Sequence, residues 1–187
     1  MNFQRLRDLK NDDLNKKIFT FITKNIKNTI FDILGYKFYR KIYLVNNYKN
    51  IFFYKNKNKL LILISYISSK SELQLKKEII KYLILNPIKI ILFFKNIKFL
   101  FKSTKSPKNY IQLLHLIIAK SKMPITDKIF VSQKIHALHK KFISRNYKGI
   151  YAAYSNKNIA AKKYYERNKY ILYNKNLFFS FVKRKIY

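Results

Sequence analysis

The stretch YKGIYAAYSNKNIAAKKYYERNKY, residues 147–170, decides the fold. It contains Gly149, one of only two glycines, and four of the alanines of a chain that is otherwise rich in Lys, Ile, Asn, Phe and Tyr. Its order predicts a strand over residues 148–154, a turn, and a helix over residues 156–168. Because small side chains let a neighbouring backbone or ligand approach closely, the cluster indicates a surface against which something packs.

Composition narrows the classes of function. A length of 187 residues and a hydrophobic content of 49% are typical of one folded domain, residues 1–187, with a real core. The absence of cysteine excludes disulfides and thiolate metal sites. Three histidines without a carboxylate cluster predict that the chain binds no metal ion.

The net charge of +33, from 41 Lys and Arg against 8 Asp and Glu, has two interpretations. One is a protein that binds polyanions, such as a ribosomal or other nucleic-acid-binding protein. The other is compositional drift, because Lys, Asn, Ile, Phe and Tyr are the residues of A/T-rich codons, while Arg, the better phosphate ligand, is rare. Under either interpretation the field attracts nucleic acid non-specifically.

Neither a secretory signal nor a membrane span is predicted. Residues 1–13 are charged and lack the apolar segment of a signal peptide. Apolar runs such as residues 60–64 and 88–101 are too short, or too often interrupted by lysine, to cross a bilayer. We therefore expect a cytoplasmic protein, with a basic amphipathic helix on a membrane surface as an open alternative.

The rest of the chain predicts helices and strands that alternate. Asn11 is expected to cap a helix from Leu14, and a second helical stretch over residues 29–45 is expected to bend near Gly35. Residues 71–108 are interpreted as a helical insertion whose Lys, Phe and Ile surface either packs on the sheet or holds a substrate, a partner or a membrane. The other predicted elements are an edge strand over 3–9, a hairpin of 49–54 and 59–69, a core strand over 110–119, a helix over 129–146, and a closing hairpin of 170–173 and 177–183.

Residues 148–170 resemble the C-terminal half of the GCN5-related N-acetyltransferase (GNAT) superfamily. The family pattern is a strand followed by Asn-x-x-Ala-x-x-Phe-Tyr-Glu-x-x-Gly-Phe. This chain has Asn158, Ala161, then Tyr164, Tyr165 and Glu166, with lysine and tyrosine in place of Gly-Phe. The element order and the segments 113–118 and 131–146 also fit. The resemblance implies an α/β (α+β) fold with a central mixed, mostly antiparallel sheet flanked by helices, plus the helical insertion at 71–108.

What the resemblance implies is an N-acetyltransferase that moves an acetyl group from acetyl-coenzyme A to an amine. The amine belongs to a small molecule, an amino sugar or a protein. Tyr165 matches the position whose phenol protonates the leaving thiolate. Asn158 and Ala161 would lie along the pantetheine arm. The acyl oxygen would meet backbone amides of a splayed central strand at Leu116, Ile117 and Ile118.

The coenzyme's pyrophosphate needs converging amides at a helix N-terminus, which we expect at residues 129–135. The segment that corresponds to the family's glycine-rich loop contains Asp127, Lys128, Phe130, Val131 and Ser132, and it lacks the glycines. Two hypotheses follow. The first is an enzyme with a degenerate phosphate loop. The second is a catalytically inactive protein of the same fold, which would use its positive surface on nucleic acid, the ribosome or another partner.

The general base and the oligomeric state are less determined. Residues 110–126 contain no carboxylate, so His115 is the titratable candidate on the central strand, with a structural role as the alternative. His136 and His139 fall outside the apolar stripe of their helix and are expected to be solvated. Residues 177–182 are expected to form a sheet edge that could pair two subunits into a homodimer.

Overall fold

The computed structural model describes residues 2–26, 29–95, 107–119, 123–143 and 147–185. The strands are β1 Gln4–Arg5, β2 Ile51–Asn56, β3 Lys59–Ile67, β4 Tyr110–Ile118, β5 Gly149–Ser155, β6 Ile171–Lys175 and β7 Phe179–Lys185. The helices are α1 Asp12–Asn25, α2 Ile30–Phe38, α3 Val45–Asn47, α4 Ser69–Ile84, α5 Pro87–Lys95, α6 Ile125–Ile143 and α7 Ile159–Arg167, with a π-helical segment Tyr39–Leu44 between α2 and α3.

The strands form one sheet in the order β1-β2-β3-β4-β5-β7-β6. Only β4 and β5 are parallel, and every other neighbouring pair is antiparallel. A mixed, mostly antiparallel sheet with flanking helices was expected, and the structure confirms it.

Local sequence signals explain several boundaries. The Asn11 side chain accepts a hydrogen bond from the Leu14 amide and so caps α1. Gly35 bends α2, because its φ of 80° is a conformation that suits glycine. Lys57 and Asn58 both have positive φ, as a two-residue hairpin turn requires, so β2 and β3 pair as predicted.

Helices cover both faces of the sheet. On one face, here called the α1–α5 face, the core joins α1, α2 and the π-helical segment to residues such as Leu63 and Ile117. On the other, the α6–α7 face, Val131 and Ile135 of α6 and Tyr165 of α7 pack on Ile62 and Ile150. Helices α4 and α5, in the segment predicted to be an insertion, lie on the α1–α5 face, through Leu75, Leu83 and Phe93. Among the described residues no helix is both long and apolar enough to cross a bilayer.

Three predictions about the elements were wrong or imprecise. Strand β1 has two residues instead of seven. Helix α6 begins at Ile125 rather than at residue 129, because the amides of Asp127 and Lys128 already bond the carbonyl of Pro124, whose fixed φ suits a helix start. The closing hairpin lies about two residues later than predicted.

The predicted dimer edge was also wrong. Residues 177–182 are not an edge, because β7 lies between β5 and β6 and pairs with both. The edge strand on that side is β6. Residues 96–106 of the predicted insertion lie outside the described residues.

Candidate functional site

The sheet opens between its two parallel strands. β4 and β5 pair from Tyr110↔Gly149 to Leu113↔Ala152 and then separate. β4 continues to Ile118 and β5 to Ser155, so both strands have unpaired backbone beyond the last pair. Helices α6 and α7 follow these two strands, and each therefore starts at the same edge of the sheet as the opening.

An irregularity in β4 lies where the opening begins. Ser65 of β3 pairs with His115, but the next residue, Tyr66, pairs with Leu113, so Leu114 is an extra residue in β4. Such a bulge bends the strand and increases its twist. It also places both Leu114 and His115 on the α1–α5 face.

The direction of the free backbone groups follows from the antiparallel ladders. The Ala119 amide donates to the Leu61 carbonyl at 2.9 Å, so alternation directs the Ile117 amide to β3 and the Leu116 and Ile118 amides away from it, into the opening. Of the three strand residues expected to bind the coenzyme, two therefore direct amides into the opening.

The backbone groups of β5, on the other side of the opening, alternate in the same way. The Asn156 amide donates to the Phe178 carbonyl at 2.9 Å, which makes this a hydrogen-bonded pair of the β5–β7 ladder. Alternation then turns the backbone groups of Ala153 toward β4. The opening is thus lined on both sides by peptide groups that no strand of the sheet pairs, and it can accept an extended chain that carries amides.

Asn158 caps the helix that begins at the opening. Its Oδ1 accepts a hydrogen bond from the Ala161 amide at 2.9 Å, which satisfies one of the orphan donors of the first turn of α7. Asn158 is exposed and Ala161 is half-buried. The predicted residues Asn158 and Ala161 therefore lie together at an N-terminus whose positive dipole end faces the open edge of the sheet.

Tyr165 lies under α7 in a cluster of aromatic rings. Its ring stacks on Tyr154 at 5.4 Å and meets Tyr164 and Tyr170 edge-on at 5.3 and 4.9 Å. Burial is the main cause that raises the pKa of Tyr165, and the neighbouring phenols add to it. The hydroxyl therefore stays protonated at neutral pH, as a proton donor must.

A cavity of about 400 Å³ adjoins Tyr165. It lies between α7 and the β5–β7–β6 part of the sheet, and its walls include Asn156, Glu166 and Ser180. None of its lining residues belongs to β4 or α6. Tyr165 lines this cavity together with Tyr154 and Tyr170, two of the rings that contact it.

Helix α6 distributes its predicted residues differently. Lys128 and Phe130 are exposed, Val131 is buried in the core, and all of them lie inside the helix rather than in a loop. Ser132 donates to Asn168 at 3.0 Å. Asn168 follows the C-terminus of α7, whereas Asn158 caps its N-terminus. Ser132 and Asn158, two predicted coenzyme ligands, therefore lie at opposite ends of α7 and are not brought together.

The first turn of α6 already holds a carboxylate. Asp127 accepts a hydrogen bond of 2.6 Å from Tyr54, and this bond raises the pKa of the Tyr54 phenol. Tyr54, Ile62 and Ile118 are in register across β2, β3 and β4, so the first turn of α6 is tied by this bond to the β2 side chain of that row. The positive end of this helix is thus partly compensated by the chain itself.

His115 faces the core of the α1–α5 face. Its Nδ1 lies 2.7 Å from Oγ of Ser65, which accepts a hydrogen bond from Tyr43 at 3.2 Å. The ring is 7% exposed and lies against Phe31.

A carboxylate that the strand sequence lacks reaches this face from α4. Tyr151 of β5 donates to Oε2 of Glu72 at 3.1 Å and lies 3.3 Å from Oε1 of Gln112 on β4. Gln112 and Tyr151 are paired one step before the strands separate. Glu72 lies in the first turn of α4 and also pairs with Lys76 at 2.9 Å. Sequence spacing could not identify Glu72, because 40 positions separate it from Gln112.

The expectation that both histidines of α6 are solvated was wrong for His139. It is 2% exposed, with Nδ1 2.5 Å from the Tyr66 hydroxyl and Nε2 buried without a partner. Burial lowers the pKa of His139 to about 3, and His136 and Arg184 contribute. In the described part of the chain, no cluster of three or more His, Asp or Glu residues could hold a metal ion.

Comparisons with known proteins agree with this architecture. No family model and no curated sequence matches the chain. Solved structures do: an N-acetyltransferase from Staphylococcus aureus is 14% identical with a TM-score of 0.58, covering 98% of this chain and 100% of its own. A GNAT-family acetyltransferase from Bacillus cereus is 11% identical with a TM-score of 0.55, covering 100% and 97%.

A third solved structure contains the coenzyme. The N-acetyltransferase PseH from Campylobacter jejuni, in complex with acetyl coenzyme A, is 12% identical with a TM-score of 0.51, covering 98% of this chain and 99% of its own. At such identities the likeness concerns the fold. The chain has the fold of the GNAT superfamily, as its C-terminal motif indicated.

Proposed function

We propose that this chain is an acyl-CoA-dependent N-acyltransferase that moves an acetyl group from acetyl-coenzyme A to an amine. The observation that carries the proposal is the opening between β4 and β5. It presents the amides of Leu116 and Ile118 on one side and the backbone of Ala153 on the other. A pantetheine arm is an extended chain with two amides, and it suits such an unpaired pair of strand edges.

The same amides supply electrostatic catalysis. When the amine attacks the thioester carbonyl carbon, negative charge develops on the carbonyl oxygen, and a fixed amide of Leu116 or Ile118 stabilises that charge. The new C–N bond then replaces the C–S bond. The departing sulfur takes a proton, and the amine loses one.

Tyr165 is the proposed donor to the sulfur. Its raised pKa keeps the proton on the phenol until a thiolate forms beside it. Asn158 and Ala161 would lie along the arm at the start of α7.

The proton of the amine has two candidate acceptors on the α1–α5 face, Glu72 and His115. We propose Glu72, directly or through water, because its side chain is 19% exposed and its hydrogen bond to Tyr151 fixes it beside the last β4–β5 pair. His115 is more enclosed and already contacts Ser65. For His115 we therefore propose a supporting role in the strand that carries the bulge.

Binding is tested by thermal shift with acetyl-CoA against adenosine 3′,5′-diphosphate, which has phosphates but no pantetheine arm. A ligand at about 100 times its dissociation constant stabilises the native state by about 2.7 kcal/mol. For 187 residues this raises Tm by about 7 °C. We expect the shift with acetyl-CoA and little with the diphosphate. Equal shifts at low salt would mean that the net positive charge alone binds the phosphates.

Turnover can be followed through the released thiol. The chain has no cysteine, so a thiol reagent reports free coenzyme A without background from the protein. A panel of amines should include a polyamine, an amino sugar, an aminoglycoside and a peptide with a free N-terminus. We expect Tyr165→Phe to lower kcat about 10- to 100-fold while the thermal shift with acetyl-CoA persists. Unchanged kcat would remove Tyr165 as the acid.

One observation favours a second candidate, a non-catalytic protein of the same fold. Asp127 occupies the first turn of α6, where a pyrophosphate would need positive potential, and the segment lacks glycine. Under this hypothesis acetyl-CoA gives no shift in the wild type. The basic surface would then bind nucleic acid or another polyanion.

A further inference from the structure

The inserted helices carry an exposed apolar surface. Leu85 and Ile88, at the link between α4 and α5, are 79% and 77% exposed. Further exposed apolar side chains lie along both helices. We define the outer face of α4–α5 by Leu73, Ile80, Ile84, Leu85, Ile88, Ile91, Leu92 and Phe94. It contains half of the exposed large apolar side chains found in the described residues, although α4 and α5 make up a small part of the chain.

The helical phase separates this face from the core. Leu73, Ile80 and Ile84 are spaced by seven and four residues, so they form one stripe of α4. Leu75 projects to the other side and Leu83 to the flank of the stripe, and both are buried. The exposed stripe is therefore a second apolar surface of a helix whose inner surface is already packed.

Hydrogen bonds fix both helices to α2. The ammonium of Lys89 in α5 donates a hydrogen bond to the Ile33 carbonyl at 2.8 Å. The hydroxyl of Tyr82 in α4 lies 3.5 Å from the Leu34 carbonyl oxygen. The Tyr82 ring also packs edge-on against Phe38 at 5.2 Å. The orientation of the two helices is thus held by the body of the protein, and the outer face stays exposed.

Positive charge accompanies the apolar side chains. Lys70 and Lys77 are exposed on α4. The two acidic residues of α4 are paired: Glu72 with Lys76 at 2.9 Å and Glu78 with a lysine at 3.2 Å. An apolar stripe bordered by lysine suits a negatively charged partner that also offers hydrocarbon.

The observations select a lipid bilayer among such partners. A second copy of a chain with a net charge of +33 would be repelled. A protein partner usually anchors aromatic or Arg side chains in pockets, whereas the outer face presents rows of exposed apolar side chains. Convex rows of Leu, Ile and Phe need no pocket in order to enter the interface of a bilayer.

We propose that the outer face of α4–α5 docks this protein on the surface of an anionic membrane, with the apolar side chains in the headgroup and acyl boundary and the lysines at the lipid phosphates. This docking does not depend on transferase activity. It leaves the β4–β5 opening free, since no residue of the outer face lines it.

The test uses the absence of tryptophan from the chain. Leu85→Trp places a single indole on the outer face, and Leu177→Trp places one at the β6–β7 turn, where Leu177 is 83% exposed. Both variants are mixed with phosphatidylcholine vesicles that contain about one quarter phosphatidylserine, with and without bromine on the acyl chains. We expect blue-shifted emission and bromine quenching for Leu85→Trp only.

Four outcomes would overturn the proposal. Equal quenching at both positions would mean that adhesion is electrostatic and non-specific, and quenching at neither would mean that the outer face does not enter the bilayer. A concentration-dependent blue shift of Leu85→Trp without lipid would mean that the face meets a second copy. Equal vesicle affinity of Leu85→Asp/Ile88→Asp and the control Leu177→Asp would remove the apolar contribution, because the double variant is expected to weaken partitioning more than about tenfold.

Discussion

His139 should make the stability of this protein depend on pH above the range in which carboxylates titrate. The imidazole is buried under α6, against Tyr66 of β3 and near Arg184 of β7. Its pKa is about 3 in the folded state, against about 6.5 in an unfolded chain. The folded pKa is the lower one, so the unfolded state binds more protons between these values. The contribution of His139 is complete above about pH 6.5 and is lost as the pH falls toward 3.

The size of the effect follows from the two pKa values. Between about pH 7.5 and pH 5, protonation of the unfolded imidazole lowers the free energy of unfolding by RT ln(1 + 10^1.5), or about 2 kcal/mol. Replacement by asparagine places an amide oxygen close to the position of Nδ1. The amide of His139→Asn can therefore still form a hydrogen bond with Tyr66 but cannot titrate. We expect a lower free energy of unfolding at all pH values. We also expect its fall between about pH 7.5 and pH 5 to be about 2 kcal/mol smaller than in the wild type.

Urea unfolding followed by far-ultraviolet circular dichroism at several pH values measures that slope. His136→Asn is the matched control, one turn away on the same helix. Burial also lowers the pKa of His136, but the ring is only half-buried, so we expect a smaller loss of slope. If His139→Asn keeps the wild-type slope, then the imidazole is not held neutral by burial and the packing described for α6 is incorrect.

Three further changes test the site and the strands around it. Asp127→Asn should tighten acetyl-CoA binding about fourfold at low salt, because at an assumed separation of about 10 Å a unit charge costs a doubly charged pyrophosphate about 0.8 kcal/mol in water; Asp13→Asn in α1 changes the net charge equally, and equal effects of both variants in isothermal titration would contradict a local role. Gly149→Ala should lower the free energy of unfolding by about 3 kcal/mol and Tm by about 8 °C in thermal unfolding, because an added Cβ would overlap the Arg184 carbonyl and lie 2.6 Å from Cε1 of Tyr110; an unchanged Tm would disprove this close approach. Asn158→Ala should cost about 1 kcal/mol in urea unfolding through the lost cap of α7, and full restoration by Asn158→Ser would assign that loss to the cap.

The sequence by itself determined the elements and much of their order. The Asn11 cap, the bend at Gly35 and the hairpin that joins residues 49–54 to 59–69 are local signals, each decided by a few neighbouring residues, and all three appear as expected. The motif from Asn158 to Glu166 was enough to indicate the fold, because a strand, a cap and a helix follow one another within one short segment.

The tertiary structure alone decided where the chemistry can occur. The extra residue Leu114, the end of β4–β5 pairing at Ala152 and the approach of Glu72 to Tyr151 all depend on contacts between segments far apart in the chain. The burial of His139 on α6 also depends on a distant segment, because its partner Tyr66 belongs to β3. Hydrophobic periodicity indicates which face of a helix or strand is buried, but it does not indicate which other element covers that face. Strand register likewise depends on two strands together and cannot be derived from either one alone. The opening that would accept the coenzyme is therefore a feature of the assembled sheet.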